Sequence, residues 1–344
     1  MIDVLVVTTG HDPEDGRLIR HLRILDRAGF TTELIARPRR SRLGRFTLGP
    51  VWAVRAVRRL RPAVVILPDP ELQLLVTPVV RRRVAVVCDV HEDYSAVLAD
   101  RGWVRPGVRA MLGVVLRLLD RSRRRSALTL TVDERILPAA TLVTNRPALE
   151  DLPAPIAGPA RRALVYVGDV RPTRGMYSML DLLDRIPSIE LDIVGPCADE
   201  RALSAEIAGR GLAHRVRLHG RLSYSRSWEI AREALAGLSL LHDTPAFRTA
   251  RPTKIFEYGA VGIPVLATPL PGQAQLLADS SGGVVGNIDA LASAVEDWVL
   301  DPSRARLIGR KGRSAAEIFD DGSSQRLVDA IAQLIDPGSR PDMS

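Results

Sequence analysis

The sequence predicts an α/β protein built from two Rossmann-like domains, each a parallel sheet covered by helices, facing a central cleft. Three observations carry that prediction. Short apolar runs alternate with segments of helical period along the whole chain, the pattern of repeated βα units. A length of 344 residues exceeds what most single cores sustain. The aperiodic stretch Ala148 to Ala160, with Pro153, Pro155 and Pro159, separates two series of the same rhythm and reads as a linker. The expected organisation is an N-terminal domain over 1–150, a linker over 151–162, a C-terminal domain over 163–322, and a helix and tail over 323–344.

In the first series the strands fall at Val4 to Thr8, Thr32 to Ala36, Ala63 to Leu67, Val84 to Asp89, Leu128 to Val132 and Thr141 to Val143. Each is a short run rich in β-branched residues, bounded by turn formers or by a helical pattern. Helices are expected at Asp15 to Ala28, Gly49 to Leu60, Glu71 to Val80 and Pro106 to Ser122. The second series has strands at Ala163 to Val167, Glu190 to Val194, Val216 to His219, Leu238 to Leu241 and Pro264 to Thr268. Its helices are expected at Tyr177 to Arg185, Asp199 to Arg210, Tyr224 to Ala236 and Thr253 to Val261, with three more before a polar tail. Open α/β sheets bind ligands beyond the C-terminal ends of their strands, so the loops there are where chemistry is sought.

Composition narrows the class. With 46% apolar and 26% charged residues the chain is ordinary soluble material. Met1 to Val7 is a short strand with an acid rather than a secretory leader, and no apolar run reaches the ~18 residues of a membrane span. A cytoplasmic location is the expectation, with contact at the inner face of a membrane as a refinement. Cys88 and Cys197 stand alone in different halves, which argues against a disulfide framework or a zinc site. Residues 1–160 hold 26 arginines, no lysine and 17 acids, a net of 26 − 17 = +9, whereas the remainder has 22 bases against 23 acids. Such a basic half suits nucleic acid, an anionic membrane or an acidic substrate, or is simply a solvated surface. Aromatics make up 4% of the chain and are not interleaved with the arginine clusters, so a nucleic-acid partner is not expected. The segment Arg105 to Arg125 is apolar on one side and cationic at its end. Either it covers the sheet or it rests on an anionic membrane.

The most informative stretch is Arg251 to Ala267, where a helix carrying Lys254 and Glu257 closes in a Gly-Ile-Pro turn and leads into a strand. One helical turn apart, these two lie on one face near the helix N-terminus, where an ammonium and backbone N–H groups suit phosphate and a carboxylate suits ribose hydroxyls. The plainer alternative is an (i, i+3) surface ion pair. The loop Tyr166 to Gly175 offers Gly168 for close backbone approach, Arg171 and Arg174 as fork-shaped donors, and Gly175 at a helix start. It is neither a GxGxxG fingerprint nor a Walker loop. In the first domain, the strand ending at Asp89 continues into Val90-His91-Glu92-Asp93-Tyr94, placing a histidine at a strand terminus, to bond a sugar hydroxyl, to shuttle a proton, or merely to fix the loop with a carboxylate. The first loop, Thr8 to Arg17, is rich in glycine and polar groups, and its Asp15 reads equally well as a helix cap.

Taken in order, these pieces resemble the group 1, GT-B-fold, retaining glycosyltransferases over nearly the whole chain. The resemblance rests on the loop His11 to Arg17, the block Asp89 to Glu92, the loop Gly168 to Gly175, Val194 to Pro196, Leu218 to Arg221, and the specific run Pro-Thr-Lys-Ile-Phe-Glu-Tyr at Pro252 to Tyr258. It implies transfer of a sugar from a nucleotide-sugar donor, a UDP-sugar in preference to a GDP-sugar, to a hydroxyl acceptor that is a glycan, a lipid-linked molecule or a natural-product small molecule. It implies retention of configuration and no metal or other cofactor. His91, Arg174 and Lys254 become the catalytic candidates. Gly168, Arg171, Arg174, Gly195, Gly220, Arg221, Lys254 and Glu257 become donor-binding candidates, and Gly10, His11, Asp15, Arg17 and Glu92 acceptor-binding ones. Two positions depart from the pattern: Thr249 stands where an E-x7-E pair has its first carboxylate, with Asp243 as a nearby replacement, and Asp169 stands where a cation often follows the loop glycine. A sugar-nucleotide binder without activity, or an epimerase or hydrolase on the same fold, is the alternative.

Overall fold

The computed structural model describes residues 2–11, 13, 15–37, 42–91, 94, 106–144, 149–158, 160–318 and 322–336. The chain divides into two units, one of residues 1–145 together with 321–344, the other of residues 146–320.

Unit 1 is built on six parallel strands in the order β2-β1-β3-β4-β5-β6, comprising β1 (Val4–Thr8), β2 (Thr32–Ala36), β3 (Val64–Leu67), β4 (Ala85–Val90), β5 (Leu128–Thr131) and β6 (Thr141–Leu142). The central strands β1 and β3 are buried along their whole length, as strands covered on both faces must be. One face carries α2 (Arg42–Leu60), α3 (Pro70–Leu75) and α4 (Thr77–Val80), whose Ala53, Val57, Leu72 and Val80 join Leu5, Val65 and Val86 in one core. The other face carries α1 (Gly16–Arg27), through Leu18 and Leu25. Helix α5 (Pro106–Arg123) packs on α3 and α4.

Two expectations for unit 1 need correction. The helix read as starting at Gly49 begins at Arg42 and carries Pro50 inside it. The helix read as continuous from Glu71 to Val80 is broken at Val76, because Pro78 has no N–H to continue the ladder and its ring crowds the preceding turn.

Unit 2 repeats the plan with the order β12-β11-β10-β7-β8-β9, all parallel. Its strands are β7 (Arg161–Val167), β8 (Glu190–Val194), β9 (Val216–Gly220), β10 (Ala234–Ser239), β11 (Val265–Ala267) and β12 (Gly283–Val285). Between and after them run α6 (Met176–Arg185), α7 (Glu200–Gly209), α8 (Tyr224–Ala231), α9 (Pro245–Arg248), α10 (Thr253–Ala260), α11 (Pro271–Ser280), α12 (Ile288–Leu300) and α13 (Pro302–Ile318). The helix expected to reach Ala236 stops at Ala231, and β10 starts at Ala234 instead of Leu238. The apolar run 234–240 fits either reading locally; pairing with β7 and β11 makes it a strand. Strand β12 and helix α9 were not expected, being only three and four residues long.

The last helix, α14 (Ser323–Ile335), belongs to unit 1, where Leu327 and Ile331 enter the α1 side of the core. Arg326 Nε donates to the Leu142 carbonyl at 2.8 Å and Ser323 Oγ accepts from Thr144 N–H at 3.0 Å, which ties this helix to the β6 edge.

Candidate functional site

In unit 2 the polar groups gather where β7, β8 and β9 end and α10 begins. Tyr258 sets the depth of α10. Its ring is fully buried in space that Gly237 leaves free, since a Cβ there would collide with it. Its hydroxyl accepts from Val167 N–H at 3.0 Å and lies 3.3 Å from the Val165 carbonyl. On the opposite side Gly259 meets Gly312 of α13 backbone to backbone.

Held this deep, α10 buries Lys254 and Glu257, both 9% exposed, so the surface ion-pair reading does not apply. Lys254 Nζ lies 3.7 Å from the centroid of the Tyr166 ring and has no hydrogen-bond partner. Burial, then the nearby Arg174, push its pKa down to about 7, against the pull of Glu257 and Asp169. Glu257 Oε1 accepts from the Tyr224 hydroxyl at 2.7 Å. Arg174 closes the short 3-10 turn Pro172–Arg174, with its guanidinium carbon 5.9 Å from the centre of the Phe247 ring.

The strand ends beside Lys254 are bare backbone. Gly168, Gly195 and Gly220 follow or close β7, β8 and β9; Gly168 N–H donates to the Val194 carbonyl at 2.9 Å and Gly195 N–H to the Gly220 carbonyl at 2.8 Å. Gly168 and Gly195 have φ of 139° and 140°, and a Cβ on Gly195 would run into the Gly168 carbonyl. Thus Gly168, Gly195, Gly220, Arg174, Lys254 and Glu257 are brought to one sheet edge. Arg171 is turned outward, 58% exposed and 2.5 Å from Asp169, and Arg221 is exposed. Asp243, the candidate for the missing carboxylate, is paired with Arg248 at 2.8 Å, with both side chains more than half exposed.

In unit 1 the strand ends carry a different arrangement. Asp69, fully buried after β3, accepts from Thr8 Oγ1 at 2.8 Å, Thr9 N–H at 2.6 Å and Gly10 N–H at 2.9 Å. Arg45 binds Glu71 through two donors and reaches Asp69 at 3.3 Å. His11 Nδ1 lies 3.1 Å from Asp15 and its Nε2 lies 3.5 Å from Asp69, while its ring meets that of His91 edge-on, centroids 4.9 Å apart. Burial disfavours the His11 imidazolium, but Asp15 and the charges of Asp69 and Asp89 outweigh it and hold the pKa above the ordinary value. Asp15 also caps α1, accepting from the N–H groups of Arg17 and Leu18.

Arg17 has a structural partner in this unit. Arg17, read as an acceptor ligand, is 6% exposed and engaged by Asp89, with its Nε donating to Oδ2 at 2.9 Å and Nη2 to Oδ1. An interior position supplies it with a carboxylate, so it is a link between α1 and β4. Gly10 has no room for a side chain, because a Cβ would meet Asp69 and Arg45. Glu92 lies outside the described residues. Sequence reasoning missed Asp69 and Glu71 altogether, although acids in the run Asp69-Pro70-Glu71 just beyond a strand are the signal that flags them.

Comparison with known proteins adds a family match in unit 2. Residues 158–315 match the family model described as glycosyl transferases group 1. This region of the chain belongs to that family. The match takes in every residue of the Gly168 to Glu257 cluster, and sugar transfer is the chemistry of the family. No curated protein is matched by sequence. Among solved structures, the chain is similar to sucrose-phosphate synthase from Thermosynechococcus elongatus, with a TM-score of 0.74, 15% identity and coverage of 97% of this chain and 98% of that one. It is similar to HepE of Anabaena in complex with UDP and glucose, at TM-score 0.68, 14% identity and coverage of 97% and 99%. WaaG, a glycosyltransferase involved in lipopolysaccharide biosynthesis, gives 0.67, 14% and 95% and 99%. At these identities the likeness speaks to the fold, which is the two-sheet GT-B fold.

Proposed function

We propose that this glycosyltransferase moves a sugar from a UDP-sugar to a hydroxyl acceptor, with retention of configuration and without a metal ion. The observation that carries the reading is the buried ammonium of Lys254, with no hydrogen-bond partner, beside Arg174 and the bare strand ends at Gly168 and Gly195. An ammonium buried without a partner is costly, and a diphosphate compensates it. The complex of HepE with UDP and glucose supports uridine as the base and a hexose as the sugar.

In this reading the diphosphate lies on the glycine backbone against Lys254 and Arg174, and Glu257 receives the ribose hydroxyls. In unit 1, His91 is the catalytic candidate, with His11 beside it as an acceptor-side candidate. The bond from the sugar's anomeric carbon to the phosphate oxygen breaks, leaving an oxocarbenium-like centre, and the acceptor oxygen attacks from the same face. The acceptor's proton passes to the leaving phosphate oxygen, so no enzymic nucleophile is required. Negative charge grows on the diphosphate as the bond breaks, so fixed cations bind the transition state more strongly than the ground state. The acceptor is a glycan, a lipid-linked molecule or a small molecule bound by unit 1.

Replacing Arg174 and Lys254 together by alanine is expected to lower donor turnover by about a thousandfold or more. Consumption of UDP-glucose and UDP-galactose with a panel of acceptors, followed by mass spectrometry, measures it. Near-normal turnover in the double variant would refute the assignment, and UDP-sugar consumption that does not depend on acceptor would favour hydrolysis.

A further inference from the structure

Unit 1 leaves an apolar surface uncovered. Of the thirteen large hydrophobic side chains exposed among the described residues, nine lie on the helices of one face of its sheet. On α5 they are Met111, Val114, Val115 and Leu118, at 59, 45, 37 and 50% exposure. The spacing i, i+3, i+4, i+7 makes them one stripe of the helix. A second apolar stripe on α5 is half-buried at Leu112 and Leu116 and buried at Leu119. A helix apolar on two sides belongs in an interior or against a second apolar phase. On α2 the exposed residues are Phe46, Leu48 and Val51, and on the α3–α4 segment Leu75 and Val79. Helices α2 and α5 both pack on α3 and α4, so the three groups share a face.

Charge on these helices is one-sided. Helix α2 contains no acid, and its second half exposes Arg55, Arg58 and Arg59. The residues following α4 are Arg81 to Arg83, all exposed. Helix α5 contains one acid, Asp120, and its last turns with the residues after them expose Arg117, Arg121, Arg124 and Arg125. Every one of these helices joins two strands of an all-parallel sheet, so all run in the same direction. Among the exposed side chains described on each, the apolar residues come first and the arginines last, apart from Arg117, which precedes Leu118. The result is two parallel belts. The apolar belt lies toward the strands' C-terminal ends, the edge that carries His11, Asp69 and His91, and the cationic belt lies toward the opposite edge.

We infer that this face docks on an anionic lipid bilayer. The apolar belt enters the boundary between headgroups and acyl chains while the arginines meet lipid phosphates, the combination by which interfacial helices are held. A protein partner would need only the apolar belt. The flanking row of arginines almost free of acids is what selects a surface of uniform negative charge. Docking in this way sets the His11 and His91 edge next to the bilayer, so the acceptor class it favours is one anchored in the membrane. The inference rests on unit 1 alone and does not depend on the donor site.

The test is co-sedimentation of the full chain with vesicles of phosphatidylcholine, with and without about 30% phosphatidylglycerol, over a range of salt concentrations. Binding to the anionic vesicles that weakens as salt rises is expected. The variant Arg117→Glu/Arg121→Glu/Arg124→Glu should cut partitioning about a hundredfold or more, since each arginine is worth about fivefold at such a surface and reversal adds repulsion. Met111→Ser/Val114→Ser/Leu118→Ser should cut it at least tenfold. All six positions are exposed, so both variants should keep the wild-type thermal midpoint and UDP affinity, which separates failure to dock from failure to fold. Absence of binding to anionic vesicles overturns the inference, as does equal binding by the arginine variant. A dimer in light scattering that the serine variant splits also overturns it, by assigning the face to a second copy.

Discussion

The strand-end edges of the two units answer the same problem, buried charge, in opposite ways. In unit 1 charge is matched within the protein: Asp89 holds Arg17, and Asp69 and Glu71 hold Arg45 and the backbone of the first loop. In unit 2 the deepest cation, Lys254, has an aromatic face beneath it and no hydrogen-bonding partner. A matched pair contributes rigidity and is expensive to break, whereas an unmatched cation costs stability and is ready for an anion from outside. The difference teaches where the protein keeps its architecture and where it keeps its affinity.

The sharpest way to break that comparison is Lys254→Met. Removing the unmatched ammonium should lower turnover by about a thousandfold while raising the thermal midpoint by a few degrees, because an uncompensated buried charge disappears. Calorimetry and a donor assay read the two effects, and a fall in midpoint alongside lost turnover would mean that the lysine is matched after all. The converse in unit 1 is Asp89→Asn, which strands the Arg17 guanidinium in the interior. It should cost about 3–5 kcal/mol in urea unfolding and leave donor affinity intact. A loss below about 1 kcal/mol would deny the pair its structural role.

The smallest effect is in protons. Because the folded pKa of Lys254 lies near 7, well below its unfolded value, the unfolded chain binds more protons between about pH 7 and 10.5. Stability therefore rises with pH across that window. A bound diphosphate reverses the depression, so UDP binding near pH 8 should take up as much as about one proton. Titration calorimetry in buffers of different ionisation enthalpy measures the uptake, which should vanish in Lys254→Met. Unit 1 supplies the contrast at the acid end. Burial above all lowers the His21 pKa to about 3, with Arg17 and Arg20 adding to it against the pull of Asp89, so stability there is lost as pH falls from about 6.5 toward 3. Replacing His21 by leucine should flatten that limb.

Legibility in the sequence followed the range of the interactions. Strands such as Val4–Thr8 and Glu190–Val194 are local apolar runs and were readable to the residue. Lys254 and Glu257 were visible as a pair because one helical turn joins them, yet their burial depends on Gly237, Tyr258 and Gly312, which no local pattern connects. The Asp69 network joins groups about 60 positions apart and is illegible without the sheet order. The bond from Arg17 to Asp89 was invisible for the same reason, since the two lie 72 residues apart. The run 234–240 shows the limit of periodicity, since its identity as strand rather than helix is decided by its neighbours.

The return of α14 to unit 1 has a consequence for biosynthesis. Unit 2 holds a contiguous stretch of chain and can fold as it leaves the ribosome, whereas residues 1–145 lack Leu327 and Ile331 until all of unit 2 has been made. Until then the core around Leu18 and Leu25 is incomplete, and unit 1 matures after unit 2 although it begins first. A stop codon just before Ser323 should therefore yield a chain whose unit 2 is native and whose unit 1 is caught by chaperones.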